Sequence, residues 1–127
     1  MKKYLADTTV LVDHLRSIPY ATEFLRKENI VISFVTTAEL LQSARNKNEQ
    51  KSIQKLTSQL EINWGGTQVG KQAIQLLEDY FLKYNLRLLD ALIASTALVN
   101  NFTLVTGNIK DFHFIKDLKV VNPKIFL

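Results

Sequence analysis

Short apolar runs alternate with longer amphipathic stretches along the chain. Lys3-Tyr4-Leu5-Ala6 stops at Asp7 and predicts a first strand. Thr8 or Thr9 then stands ready to cap a helix through about Arg16. Pro19 opens a second helix, about residues 20–28, because the first helical position needs no N–H. Asn29-Ile30-Val31-Ile32-Ser33 is β-branched and predicts a second strand. Thr36 to Asn46 reads as a helix with Thr36 and Glu39 at capping-box spacing. A polar helix from Glu49 to Gln59 follows, with Ile53, Leu56 and Leu60 recurring at three and four.

Glu61-Ile62-Asn63-Trp64 predicts a third strand, closed by Gly65-Gly66. Residues 67–84 form a long amphipathic helix with Val69, Ala73, Leu76, Leu77 and Tyr80 on one side. Leu88 to Asn100 is apolar on nearly every side, which predicts a buried helix. Phe102-Thr103-Leu104-Val105-Thr106 is a fourth strand, Gly107 starts a loop, and Lys119-Val120-Val121 is a short last strand. Strands alternating with helices predict an α/β fold, a parallel sheet with helices on both faces.

Composition narrows the chemistry more than the fold. At 127 residues and 46% hydrophobic content the expectation is one domain with a packed core. There are no cysteines, so disulfides and thiolate metal sites are excluded, and His14 and His113 are too few for a His-rich zinc site. Any metal is therefore held mainly by oxygen, which suits Mg²⁺ or Mn²⁺. The net charge of +4 permits a polyanionic partner without specifying one. Asp7 and Asp13 interrupt the apolar stretch after Met1-Lys2-Lys3, so neither a signal peptide nor a membrane span fits. The expectation is a cytoplasmic protein.

Ligand sites in open parallel sheets lie beyond the carboxyl ends of the strands. Asp7 follows the first strand, Glu39 lies soon after the second, and Thr106, Asn108 and Asp111 follow the fourth. Asp90 begins the helix that leads into that fourth strand. Each has an ordinary alternative: Asp7 or Asp90 as a helix cap, Glu39 as half of a capping box, Asp111 with Asn108 as an Asx turn. Four carboxylates on one edge are harder to explain as caps, because they repel one another and raise each other's pKa unless a cation neutralises them. A divalent metal meets that need and brings hydrolytic chemistry.

Four segments, in order, carry a family resemblance. They are Asp7-Thr8-Thr9-Val10-Leu11-Val12-Asp13, Ser33-Phe34-Val35-Thr36-Thr37-Ala38-Glu39-Leu40, Leu89-Asp90-Ala91-Leu92-Ile93-Ala94-Ser95-Thr96-Ala97 and Thr106-Gly107-Asn108-Ile109-Lys110-Asp111-Phe112. With these the chain resembles PIN-domain ribonucleases, most closely the VapC toxins of bacterial toxin–antitoxin pairs. The resemblance implies one PIN domain over residues 1–127, a three-layer fold with a central parallel sheet of four to five strands. It implies a metal site of Asp7, Glu39, Asp90 and Asp111, with Asn108 sharing the fourth acidic position and Thr8 and Thr106 lining the site. Gly107 departs from the family pattern, which often has Arg there.

The implied reaction is Mg²⁺-dependent hydrolysis of RNA phosphodiesters, leaving a 5′-phosphate and a 3′-hydroxyl. Arg87, just before Leu88-Leu89-Asp90, is a candidate for contact with substrate phosphate, for pairing with an acid, or for a plain surface role. Arg45, Lys47, Lys51 and Lys55 form a basic cluster that reads either as an RNA track or as a solvated helix face with Glu49. The resemblance further implies a homodimer and a VapB-type antitoxin seated on helices around residues 20–60, against Phe24, Leu25, Leu40 and Leu41. Two other enzymes are disfavoured by the residues. A dehalogenase-like phosphatase wants an Asp where Thr9 stands, and a receiver domain wants an Asp and a Lys that these strands do not supply. A degenerate nuclease fold kept as a binding module is the remaining alternative.

Overall fold

The computed structural model describes residues 2–27 and 29–126. Among them five strands make one sheet: β1 (Tyr4–Ala6), β2 (Ile30–Ser33), β3 (Glu61–Asn63), β4 (Thr103–Val105) and β5 (Val120–Val121). The order across the sheet is β3-β2-β1-β4-β5 and every pairing is parallel. Six helices accompany it: α1 (Thr8–Leu15), α2 (Pro19–Leu25), α3 (Phe34–Ser43), α4 (Lys47–Ser58), α5 (Thr67–Tyr84) and α6 (Leu88–Asn100).

Period-two alternation sends neighbouring strand residues to opposite faces. Leu5, Val31 and Leu104 join the core under α5 and α6, with Ala73, Leu76, Ile93 and Ala94. Ala6, Ile30, Ile32 and Val105 join the core under α1, α2 and α4, with Leu11, Phe24, Ile53 and Leu56. Both faces are covered, and this is why the strands read as continuous apolar runs. The result is the expected three-layer α/β arrangement.

Local chemistry moved several boundaries. The expected helix from Thr36 begins at Phe34, because the buried Ser33 hydroxyl caps it by accepting from the Val35 N–H at 3.0 Å. Thr36 is therefore third in the helix and forms no capping box with Glu39. Asn46 caps α4 by accepting from the Glu49 N–H at 2.9 Å, so that helix starts earlier than its apolar pattern suggests. The second helix spans Pro19–Leu25, with Arg26 as its C-cap, and Glu28 from the expected range lies outside the described residues.

The long apolar helix is buried along most of its length, yet its first turn emerges, with Leu88 52% and Leu89 45% exposed. Leu82, at the end of α5 nearby in sequence, is 94% exposed. Trp64 is 72% exposed and stands just past the end of β3. Among the described residues no helix is long and apolar enough to cross a membrane.

Candidate metal and substrate site

Strand register places the site. Tyr4 and Leu5 pair with Ile30 and Val31, and Ala6 pairs with Val105, so the next step sets Asp7 beside Thr106 and level with Ser33. β1 is the central strand, and the chain goes from it to β2 on one side and later to β4 on the other. The carboxyl end of such a strand is a switch point, where adjacent loops diverge and leave a crevice. A pocket of about 330 Å³ opens there, lined by Asp7, Glu39, Asp90, Asn108 and Asp111 among others.

Asp7 stands at the N-cap position of α1 but makes no capping bond through its side chain. Its Oδ2 instead accepts from the buried Thr106 hydroxyl at 2.7 Å and from the Thr9 hydroxyl at 3.2 Å. Both hydroxyls also accept backbone N–H bonds from the loop after β4, Asn108 to Thr106 at 3.0 Å and Gly107 to Thr9 at 3.1 Å. One carboxylate thus ties the first strand to the fourth. Burial raises the Asp7 pKa above its ordinary value; the Thr106 hydroxyl, the Thr8 N–H and the Thr9 hydroxyl pull the other way, and the Glu39 charge adds to the rise.

Glu39 is held from the first turn of α1. The Thr8 hydroxyl donates to Glu39 Oε1 at 2.7 Å. Having one proton, that hydroxyl then accepts from the fully buried Thr36, 3.0 Å away. The chain Thr36 to Thr8 to Glu39 fixes the direction of each hydroxyl.

Asp90 is the third residue of α6, whose N-cap is Arg87, so it caps nothing. Its pKa is pushed up to about 6, first by burial and then by the charges of Asp7, Asp111 and Glu39. These four groups therefore interact through charge across one small space. Asp111 is exposed and ends a 3-10 turn, Ile109–Asp111. Asn108 precedes that turn without a side-chain capping bond, so the Asx-turn alternative has no support. Among the described residues no three His, Cys, Asp or Glu side chains converge tightly enough to hold an ion as they stand. The donor chemistry fits a hard divalent cation nonetheless: all oxygen, mutually repelling, and two of the carboxylates already oriented by hydroxyls.

Two further pocket residues carry charge and were not singled out from sequence as site residues. Asp13 and Arg16 line the pocket together with Thr9 and Val12. Their spacing of three, one and three along α1 puts them on one face, a signal visible once Thr9 is placed at the site. Asp13 accepts a hydrogen bond from the Tyr20 hydroxyl, whose pKa rises to about 12 through burial and that bond.

Arg87 is elsewhere. Its guanidinium lies over the Phe81 ring, 5.7 Å from the centroid, beside Leu77, Glu78 and Leu88. The basic cluster resolves into the solvent-facing side of α4 and the residue before its N-cap, Arg45, which pairs with Glu49 at 2.8 Å. Of the apolar residues expected on a partner surface, Phe24 and Leu40 are core residues, 1% exposed. Phe24 packs against Tyr4 and Phe126, while Leu41 is exposed and Leu25 half-buried.

Comparison with known proteins agrees with this geometry. The family model described as PIN domain matches residues 4–116. Ribonuclease VapC10 of Mycobacterium tuberculosis is 32% identical over 120 residues, covering 91% of this chain and 90% of its own. Ribonuclease VapC1 of Haemophilus influenzae is 30% identical over 129 residues, covering 91% and 94%. Among solved structures, a toxin–antitoxin complex from Klebsiella pneumoniae superposes with a TM-score of 0.80 at 27% identity, covering 95% of this chain and 98% of the other. VapBC-1 from nontypeable Haemophilus influenzae gives a TM-score of 0.79 at 25% identity, with coverage of 95% and 98%.

Proposed function

The chain belongs to the PIN-domain family, among the VapC ribonucleases, and on that premise we propose that it is a metal-dependent endoribonuclease acting as a cytoplasmic toxin of a VapBC-type pair. The observation that carries the reading is the charge of the pocket at the end of β1. Five carboxylates, those of Asp7, Asp13, Glu39, Asp90 and Asp111, line it against one guanidinium, that of Arg16. An RNA phosphodiester is an anion, and such a pocket repels it until a cation is present. Asp7, Glu39, Asp90 and Asp111 would hold a divalent ion, Mg²⁺ with Mn²⁺ as a substitute.

When bound, that ion supplies neutralisation of the acids, polarisation of the phosphate and a water of lowered pKa. The chain's own groups prepare for it. Thr106 and Thr9 fix the Asp7 carboxylate, and Thr8 fixes Glu39, so neither needs reorientation at the moment of reaction. Asn108 stands on the pocket wall beside Asp111 and is assigned to substrate support. Partial burial of the acids keeps the local dielectric low, which strengthens every charge interaction there.

Two partners follow from the same premise. A VapB-type antitoxin is assigned to the cavity of about 540 Å³ floored by Val12, Leu15, Leu40 and Ile53, with Ser43 and Ser52 among its other wall residues. The solved relatives named above as toxin–antitoxin and VapBC structures support that partner. A homodimer would cover the exposed Phe81, Leu82, Leu88 and Leu89.

The decisive experiment is cleavage of single-stranded RNA by the full chain with Mg²⁺, with EDTA, and by Asp7→Ala and Asp90→Ala. Cleavage is expected in the first condition alone. Equal cleavage by wild type and Asp90→Ala refutes the assignment, and RNA binding without cleavage under Mg²⁺ or Mn²⁺ favours the binding-module alternative.

A further inference from the structure

Arg16 is the one cation lining the acidic pocket among the described residues. Its backbone is fixed at the end of α1, where its N–H bonds the Val12 and Asp13 carbonyls at 3.0 and 3.2 Å. Ser17, at φ 62°, turns the chain away immediately afterwards, and the Ile18 N–H returns to the Asp13 carbonyl at 3.0 Å. The natural partner for Arg16 is Asp13, one turn earlier on the same helix. That carboxylate is engaged by the Tyr20 hydroxyl instead. Among the described residues Arg16 forms no ion pair with any acid, although five of them surround the same pocket. A guanidinium is thus held at the rim, exposed, with its donors uncommitted.

We propose that Arg16 is a substrate-contacting residue that binds a phosphate of single-stranded RNA on the α1 side of the acidic pocket. The proposal rests on the nuclease reading and adds where the strand enters. A planar, permanently charged guanidinium offers phosphate oxygens two parallel N–H bonds, which an ammonium does not. Val12 and Arg16 also border the cavity between α1, α3 and α4. An RNA strand leaving the acids past the last turn of α1 therefore crosses the wall that the two cavities share. A partner filling that second cavity meets the same side chain, so partner and RNA compete for Arg16 without either touching a metal.

Counterion release gives a test that does not depend on turnover. In the Asp7→Asn background, which is expected to leave the RNA uncut, binding of a fluorescently labelled single strand is followed by anisotropy at one low, fixed Mg²⁺ concentration across a monovalent salt series. Each phosphate contact on a single strand contributes about 0.7 to the slope of log K against log salt. Arg16→Ala and Arg16→Gln are expected to weaken binding several-fold at low salt and to flatten that slope by about 0.7. Arg16→Lys keeps the slope. Arg26→Ala removes an equal charge from an exposed arginine paired with Glu23 and leaves the slope unchanged.

A slope for Arg16→Ala and Arg16→Gln equal to that of the parent overturns the proposal, as does an equal loss in Arg26→Ala. If wild type neither binds nor cleaves RNA with Mg²⁺ or Mn²⁺, the nuclease reading itself fails. Cleavage by wild type together with an unaltered slope in the Arg16 variants removes only the role of Arg16.

Discussion

Replacing Asp90 by Asn should make this protein more stable at neutral pH while removing its activity. The carboxyl is displaced from an ordinary 3.8 to about 6 by burial and by three neighbouring acids. At 1.36 kcal/mol per pH unit, that displacement sets a ceiling of about 3 kcal/mol on the cost of ionising Asp90 in the folded protein. The group is only half-buried, so solvent screening reduces the figure to about 1–2 kcal/mol. Asp90 also lies in the first turn of α6, where a negative charge gains about 0.5 kcal/mol from the helix dipole. The net expectation is a gain of about 1 kcal/mol for Asp90→Asn at pH 7.5, or roughly 4 °C in Tm.

The sign with pH is fixed by linkage. The folded state holds the Asp90 proton more tightly than the unfolded state, so wild-type stability from this group falls as pH rises from about 4 to about 6. The Asn variant lacks that fall. Urea unfolding in EDTA at pH 4, 5.5 and 7.5 measures it: the two proteins should be nearly equal at pH 4 and should separate above pH 6. A second arm adds Mg²⁺ at pH 7.5, which should raise the Tm of wild type and leave Asp90→Asn nearly unmoved. An Asn variant less stable than wild type at pH 7.5 in EDTA refutes the electrostatic reasoning, because Asp90 would then be acting as a structural anchor of α6.

Thr106→Val keeps the shape of a buried side chain but strips a hydrogen bond from the Asp7 carboxylate; a loss of about 1.5–3 kcal/mol in urea unfolding and an acid limb of the cleavage profile shifted to higher pH are expected. Ser95 is fully buried in α6 and among the described residues its hydroxyl has no partner, so Ser95→Ala should raise stability by about 1 kcal/mol in the same assay. Arg87→Ala should leave the single-turnover cleavage rate within about twofold, since the side chain lies over Phe81 and outside the acidic pocket; a hundredfold loss, about 2.7 kcal/mol, would move it into the site.

What the sequence revealed and what it hid have separate physical causes. α5 and α6 were legible to the residue, α5 because its apolar face repeats over many turns and α6 because its apolar run continues on nearly every side; each ends in an asparagine in the left-handed conformation, Asn85 and Asn101. The start of α3 was not, because β2 passes into it without a loop and the buried Ser33 serves both as last strand residue and as cap. The acids were legible as a set from their places after strands and at a helix start. Asp13 and Arg16 were hidden: sequence alone gives α1 a face but does not say which face the pocket meets. Arg87 misled through adjacency. As the N-cap of α6 it has extended backbone, φ −104° and ψ 165°, and that conformation takes its side chain off the helical track that carries Asp90.

The bond between Thr106 and Asp7 spans 99 residues of chain. During synthesis β1 emerges first, and its carboxylate then waits for β4 and the loop after it to be made. Until they dock, Asp7 lacks the hydroxyl that most lowers its pKa, and the wall carrying Asn108 and Asp111 is missing. Synthesis of β1 alone therefore assembles no pocket, and the acids come together only when β4 docks beside it. Placing the reactive strand at the centre of the sheet acts as a timer: completion of the site coincides with completion of the fold.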